Sequence, residues 1–179
     1  DKRYLVAVEE AARFILQEMR KDGYLMRVFN KGKCQVKGYS EDYSFFIQAL
    51  LDLYEATFDT GWLKEADDLN RGMIRQFWDE RNGGFFFSGK ENESLIARSK
   101  NPYDHVIPSA NSIAVFNFIR ISYLTGDESL KQKAEQTLRL FYNFLDQHPS
   151  GFTQMLSGLL FFLNPEEIGI IGSKSDLKT

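Results

Sequence analysis

Two short polar clusters contain the residue types that acid–base chemistry requires. Residues 39–43 stand directly before an apolar run, and residues 103–112 stand before another. Hydrolysis of a glycosidic bond needs one carboxyl group to protonate the leaving oxygen and a second to activate water or attack the sugar. We therefore take Asp42 and Asp104, one from each cluster, as the candidate catalytic pair.

Other side chains of these clusters, together with Phe86 from the segment between them, could bind a ligand with many hydroxyl groups. Aromatic rings stack on sugar rings, and carboxylate, hydroxyl and amide groups hydrogen-bond to sugar hydroxyls. The candidate ligand-binding residues are Tyr39, Glu41, Tyr43, Phe86, Tyr103, His105, Ser109 and Asn111. Acidic, serine and asparagine residues at helix starts also pair with free backbone amides and the helix dipole. Helix capping therefore stays open as the alternative interpretation of the same residues.

Other chemistries have weaker support. Asp67-Asp68 falls on an amphipathic helix without a second acidic partner, so we expect no metal site. Gly83-Gly84 lacks the lysine of a phosphate-binding loop, and we expect no cofactor. An epimerase with two facing histidines is disfavoured, because His148 belongs to a solvent-facing turn. Cys34 is the single cysteine, which rules out an internal disulfide and favours a reducing compartment.

The composition is that of an ordinary globular domain. The chain has 179 residues, of which 43% are hydrophobic and 26% charged, with a formal net charge of -3. This balance gives no reason to expect nucleic acid or an anionic membrane as a partner. No run approaches the roughly 18 apolar residues of a membrane-spanning helix. We expect a cytoplasmic protein, and because Asp1 leads straight into a helix, a piece of a longer one.

A repeated pattern predicts the elements that position the two clusters. Residues 40–85 and 109–152 both read as serine, an apolar helix, a short turn, an amphipathic helix and Gly-Phe. Helices are expected at about 2–22, 40–58, 61–80, 109–125, 127–147 and 153–163. Residues 24–36 predict a β-hairpin around a Gly-containing turn, and residues 167–172 a short strand.

Amphipathic and wholly apolar helices alternate along the chain, which indicates an outer and an inner layer. This alternation is typical of an all-α α/α-hairpin toroid, whose full ring has about twelve helices. Residues 1–165 would form a partial ring of about three hairpins, with 166–179 as strand and tail. The long connections 23–39 and 82–108 both lead into inner helices, so we expect the two clusters at one rim. A half-ring leaves apolar flanks, which predicts self-association or contacts with missing parts of a longer protein.

Several motifs resemble one family in the same order along the chain. They are residues 38–43, 53–57 with Trp62-Leu63, 77–80 with 83–86, 103–104 with 107–112, and 167–172. The chain resembles large proteins that join an N-terminal thioredoxin-like domain to a six-hairpin toroid, called spermatogenesis-associated in animals. The resemblance implies that this chain is the later part of that toroid. Two positions depart from the family pattern: His105 and Ala110 replace glycines, and both add bulk at the expected mouth.

The resemblance also implies carbohydrate chemistry, since such toroids are similar to those of N-acylglucosamine epimerases and unsaturated-glucuronide hydrolases. Our leading hypothesis is a toroid segment with a carbohydrate-related pocket and glycoside-hydrolase-like acid–base groups. The alternative is a non-catalytic helical scaffold that binds a partner, such as a thioredoxin-like domain, across the rim.

Overall fold

The computed structural model describes residues 2–92 and 97–166, which are mostly helical with one small sheet. The elements are α1 (Lys2–Glu18), β1 (Arg20–Lys21), β2 (Tyr24–Asn30), β3 (Lys33–Lys37), α2 (Ser40–Thr57), α3 (Thr60–Phe77), α4 (Ala110–Thr125), α5 (Glu128–Gln147) and α6 (Thr153–Leu163). A 3₁₀ turn, Pro149–Gly151, joins α5 to α6. The predicted strand at 167–172 lies outside the described residues.

The helices form the two layers that the repeat predicts. Helix α2 packs against both α3 and α4, and α4 packs against α2, α5 and α6. Helices α2, α4 and α6 are therefore the inner row, while α3 and α5 cover it from outside. Helix α4 is buried at nearly every position between Asn111 and Ser122, as expected for a helix without a polar face.

The first helix is shorter than predicted. It ends at Glu18 rather than near residue 22, because the chain turns into strand β1 and pairs with β2. Asp22 and Gly23 have positive φ angles of 51° and 81° and form the hairpin turn between these strands. Asp-Gly is also typical of a helix end, and the structure uses it as a β-turn.

The second hairpin agrees with the prediction. Strands β2 and β3 are antiparallel, with Asn30 opposite Lys33, and the turn residues Lys31 and Gly32 have φ angles of 48° and 74°. The sheet order is β1-β2-β3. This small sheet places Arg27 of β2 beside the N-terminus of α2, which matters for the site.

In the described part of the chain, no helix combines the length and apolarity that crossing a membrane requires.

Candidate functional site

The structure brings the two polar clusters together at the N-terminal ends of α2 and α4. A cavity of about 180 Å³ lies between the first turns of these helices. Its walls include Glu41 from the first cluster and Tyr103, His105 and Ser109 from the second. The first turn of α2 and the connection 82–108 therefore meet at one rim.

A second and larger cavity adjoins the first. It has a volume of about 510 Å³ and lies between α1, β2 and α2, with Arg27, Glu41 and Asp42 at its polar end. Glu41 and Ile107 line both cavities. Glu41 is therefore a wall residue common to both cavities.

One guanidinium group holds both acids of the first cluster. Arg27 Nη1 donates to Glu41 Oε1 (3.0 Å) and to Asp42 Oδ2 (2.9 Å). The hydrogen bond to Glu41, with the nearby charge of Asp42, raises the pKa of Arg27 above its ordinary value. The same guanidinium lies over the Tyr39 ring, with its carbon 5.1 Å from the ring centroid. The sheet thus fixes the charge arrangement at this end of the larger cavity.

Asp42 is also part of the helix cap. The Tyr39 backbone N–H donates to Asp42 Oδ2 (2.8 Å), which makes Tyr39, and not Ser40, the N-cap of α2. Asp42 is the third residue after its cap Tyr39, whereas Asn111 is the second residue after its cap Ser109. The two side chains therefore occupy different positions in their first turns. Asp42 Oδ1 accepts no hydrogen bond from the described residues, so one carboxylate oxygen stays available to a ligand.

Asp104 has a different environment. Its Oδ1 accepts from the Ser109 backbone N–H (2.8 Å), and its Oδ2 accepts from the N–H groups of Gln154 (2.9 Å) and Met155 (3.3 Å). Asp104 therefore caps α6 and connects the 101–109 loop to two inner helices. This is the helix-capping role that the sequence left open as the alternative to a catalytic one. It lines neither of the two cavities, whereas Asp42 lines the larger one. The proposed catalytic pairing of Asp42 with Asp104 stays a prediction.

Tyr43 belongs to the core. Only 1% of its surface is exposed, and its hydroxyl accepts from the Leu25 backbone N–H (2.7 Å) and from Gln76 Nε2 (2.9 Å). This placement corrects the ligand-binding expectation for Tyr43, because a buried hydroxyl with two internal partners cannot reach a ligand in either cavity.

The phenylalanine at the cavity wall is not the predicted one. Phe86 packs under two cations, with Arg98 Cζ 4.3 Å and Lys100 Nζ 4.9 Å from its ring centroid. Phe85 and Phe87 line the smaller cavity instead, and the Phe87 ring stacks on Tyr39 at 4.7 Å. Alternate residues of an extended segment face opposite sides. This period of two after Gly83-Gly84 is the signal that would have selected Phe87.

Asn111 and Ser109 hold the cavity wall in place. Asn111 Oδ1 accepts from the Phe85 N–H (2.7 Å), and its Nδ2 donates to the carbonyls of Phe85 (3.1 Å) and Asn101 (3.2 Å). Ser109 Oγ accepts from the Ser112 N–H (3.1 Å) and caps α4 as expected. Both residues line the smaller cavity, but their polar atoms are engaged within the protein.

Tyr103 and His105 form the open mouth of the smaller cavity. Their rings stack with centroids 6.0 Å apart, and Tyr103 rests on Phe152 at 4.8 Å. Within the described residues, neither the Tyr103 hydroxyl nor the His105 ring nitrogens make a hydrogen bond. These groups are free to bind a polar ligand.

Sequence reasoning missed one ion pair that shapes the site. The side chain of Lys100 is only 14% exposed, and its Nζ donates to Asp79 Oδ2 (2.7 Å) and to the Gly83 carbonyl (2.6 Å). The hydrogen bond from Lys100 holds the pKa of Asp79 far below its ordinary range. The pair fixes the Gly83-Gly84 turn, from which Phe85 enters the cavity wall.

The described residues contain no group of three or more His, Cys, Asp or Glu side chains that could hold a metal ion. The arrangement offers carboxylates, an imidazole, a phenol and aromatic faces, which together can bind hydroxyl groups and transfer protons.

Comparison with known proteins agrees with this fold and order of motifs. No protein-family model matches the chain. Mouse spermatogenesis-associated protein 20 is 36% identical over 123 residues, which is 68% of this chain. The chain is homologous to part of that spermatogenesis-associated protein. The human protein is 35% identical over the same length, and an uncharacterized protein of Caenorhabditis elegans, B0495.5, is 30% identical over 167 residues.

The spermatogenesis-associated proteins are much longer than the matched region. The match covers 16% of the mouse protein and 23% of the nematode one. Solved structures show the same fold at low identity. The unsaturated glucuronyl hydrolase of Bacillus sp. GL1 aligns with 93% of this chain and 51% of its own (TM-score 0.62, 17% identity). The GH76 α-mannanase BT2949 of Bacteroides thetaiotaomicron aligns with 78% and 38% (TM-score 0.59, 16% identity). The described helices thus have the fold of part of the six-hairpin α/α toroids of these glycosidases.

Proposed function

We propose that the two rim cavities bind a carbohydrate-like ligand and that this chain is a glycosidase-like segment of a toroid. The observation that carries the proposal is the position of Glu41, which is a wall residue of both cavities. Free polar groups of Tyr103 and His105 stand at the mouth of one of them. Carboxylate, imidazole and phenol groups beside aromatic walls are the combination that binds sugar hydroxyls and sugar faces.

The cavity sizes indicate how a ligand would be divided between them. Pockets for small organic ligands measure about 300–1,000 Å³. The larger cavity, at about 510 Å³, falls in this range, and the smaller one, at about 180 Å³, is below it. A sugar ring would occupy the larger space, with one substituent reaching past Glu41 into the smaller one.

Acid–base catalysis is the further part of this proposal. Two carboxyl groups about 5–9.5 Å apart are required across the scissile bond. Asp42 and Asp104 are the predicted pair, and we add Glu41 because it faces the same larger cavity as Asp42. Support for hydrolysis comes from the fold that this chain shares with the two glycoside hydrolases. The shared feature is the fold and not the residues of an active site.

The test combines ligand binding with turnover. We would measure the thermal shift of the protein in the presence of each member of a panel of mannosides, glucosides and unsaturated glucuronides. The hydrolysis of each sugar by the protein would be measured in parallel. Glu41→Gln and Asp42→Asn should each abolish the thermal shift of a ligand that stabilises the wild type, and Asp68→Asn, an exposed substitution on α3, should leave it unchanged. Absence of any shift or turnover in the wild type, or equal shifts in all four proteins, would refute the proposal.

A second function is favoured by the exposed loop at the rim. Val106 is fully exposed and Ile107 beside it is largely exposed, which suits a protein partner better than a sugar. The partner would be the thioredoxin-like domain that the resemblance implies. Titration with a recombinant thioredoxin-like domain of the mouse protein separates the two functions. Val106→Ser should weaken that binding if the chain is a scaffold, and no binding would remove this candidate.

A further inference from the structure

The smaller rim cavity has an acidic wall residue and no basic one. Glu41 is its acidic residue, and no lysine or arginine is among the wall residues that the structure describes. The other polar walls carry hydroxyl and amide groups and the imidazole of His105. An anionic group of a ligand would therefore enter this cavity without a lysine or arginine to pair with.

Arg27, a wall residue of the adjoining larger cavity, is already engaged by two protein carboxylates. Its Nη1 is 3.0 Å from Glu41 Oε1 and 2.9 Å from Asp42 Oδ2. One guanidinium against two carboxylates leaves this group of three with one negative charge in excess. Glu41 Oε2 accepts no hydrogen bond from the described residues, so the carboxylate keeps an acceptor for a second cation.

The helix starts at this rim are also occupied by acids of the protein. Anions bind at helix N-termini because free backbone N–H groups and the helix dipole attract negative charge. At the start of α2, the Tyr39 N–H donates to Asp42 Oδ2. At the start of α4, the Ser109 N–H donates to Asp104 Oδ1. An anionic ligand would have to compete with these carboxylates for the same positive potential.

A buried hydroxyl adds a free acceptor to the smaller cavity. Ser40 is a wall residue that is only 1% exposed, and its Oγ makes no hydrogen bond to a described residue. The Tyr103 hydroxyl and the His105 ring nitrogens are free in the same sense. A hydroxyl oxygen and a neutral imidazole nitrogen can each accept from an N–H group, and an ammonium group has three N–H donors. A ligand ammonium group can therefore be both paired and hydrogen-bonded here.

We propose that the sugar substituent that enters the smaller cavity is an ammonium group, which makes the ligand an amino sugar and not a uronic acid. This inference rests on the proposed binding of a carbohydrate-like ligand at the rim. The ammonium group would pair with Glu41 and donate to the free acceptors beside it. A carboxylate at the same place would meet a like charge, and an unpaired charge of this kind is how a site rejects one ligand in favour of another.

Four methyl glycosides on one ring test the charge preference. They are methyl glucoside, its 2-amino-2-deoxy and 6-amino-6-deoxy derivatives, and methyl glucuronide. We would measure each Kd by calorimetry at about pH 7, where amines are mainly protonated and carboxylic acids are ionised. The Glu41 side chain is 28% exposed, so solvent limits the effect of its charge. We expect at least one amine to bind about three to five times more tightly than the glucoside, and the glucuronide to bind less tightly by a similar factor.

Variants assign the preference to the charges at this rim. Glu41→Gln should weaken the amines more than the glucoside, because it removes the charge that attracts them. Asp68→Asn is the matched control: it removes the same charge from an exposed position on α3 and should leave all four affinities unchanged. His105→Lys places a cation at the mouth of the cavity and should raise the affinity for the glucuronide relative to the glucoside, whereas the uncharged His105→Gln should not. Far-UV circular dichroism verifies that all variants fold.

The outcomes separate this inference from the proposed function. If neither amine binds more tightly than the glucoside, or if the glucuronide binds as tightly as the glucoside, the amino-sugar inference is overturned while carbohydrate binding stands. An equal loss of amine and glucoside affinity in Glu41→Gln would also overturn it. Absence of binding by all four glycosides would overturn it as well, and the wider sugar panel shows separately whether carbohydrate binding itself fails.

Discussion

Replacement of Asp104 distinguishes a capping residue from a catalytic acid. Asp104→Ala removes the acceptor of three backbone N–H groups at the starts of α4 and α6. Hydrogen bonds to a charged group contribute about 1.5–3 kcal/mol each, and the bond at 3.3 Å contributes least. Because the loop is only half-buried, we take the two shorter hydrogen bonds at the low end of this range. We therefore expect the free energy of unfolding to fall by about 3 kcal/mol.

Asp104→Asn should cost about half as much, because its amide retains one oxygen and directs an NH₂ group at the remaining donors. For a chain of this length, about 1 kcal/mol lowers Tm by roughly 2–4 °C. We therefore expect Tm to fall by about 6–12 °C for Asp104→Ala and about 3–6 °C for Asp104→Asn. Urea denaturation gives the free energies, and hydrogen exchange should show lost protection at the first turn of α6.

The control is Asp68→Asn, which removes a carboxylate on the exposed side of α3 and should change stability by less than about 0.5 kcal/mol. A catalytic acid is typically held at some expense of stability, so its removal is neutral or stabilising. If Asp104→Asn matches the control in Tm and α6 keeps its protection, the capping argument is refuted.

Three further predictions concern the supports of the site. Tyr43→Phe leaves a buried N–H without its acceptor and should cost about 1–3 kcal/mol in urea denaturation. Gly84→Ala should cost more than Gly126→Ala: both have positive φ, but a Cβ at Gly84 would lie 2.9 Å from a leucine side chain, whereas the space at Gly126 is open. Lys100 lowers the pKa of Asp79, so the ion pair stabilises the folded state above about pH 4, and this stabilisation is lost as the pH falls further. In Lys100→Met, the free energy of unfolding should therefore decrease less between about pH 7 and acid pH than it does in the wild type.

Each of these has a control in the same chain. Tyr54→Phe removes a hydroxyl without a partner among the described residues and should be nearly neutral, so equal losses at positions 43 and 54 would contradict the first prediction. Equal costs at Gly84 and Gly126 would show that the turn yields to the added methyl group. An unchanged acid profile in Lys100→Met would mean that Asp79 is not the titrating group.

Much of the fold was predictable because burial leaves a periodic pattern in the sequence. The all-round apolar runs of α2 and α4 and the one-sided runs of α3 and α5 predict inner and outer layers correctly. Local turn chemistry was ambiguous: Asp22-Gly23 suits both a helix end and a hairpin, and the decision came from pairing of β1 with β2. Helix starts were accurate to about one residue. The N-cap of α2 is nevertheless Tyr39, whose N–H binds Asp42 Oδ2 and leaves Oδ1 without a partner among the described residues.

For the candidate site, the sequence determined which residue types are present and that they lie at one rim, since both clusters precede inner helices. Only the tertiary structure decided which side chains face the cavities. Phe87 replaces Phe86 because an extended segment alternates sides, Tyr43 turns into the core, and Asp104 meets the start of a helix some fifty residues later in the chain. These outcomes depend on contacts between segments that are distant in the sequence, and the periodicity within one segment does not predict such contacts. Spacing along the chain predicts which residues lie at the same rim, and packing decides which of their side chains remain free for a ligand.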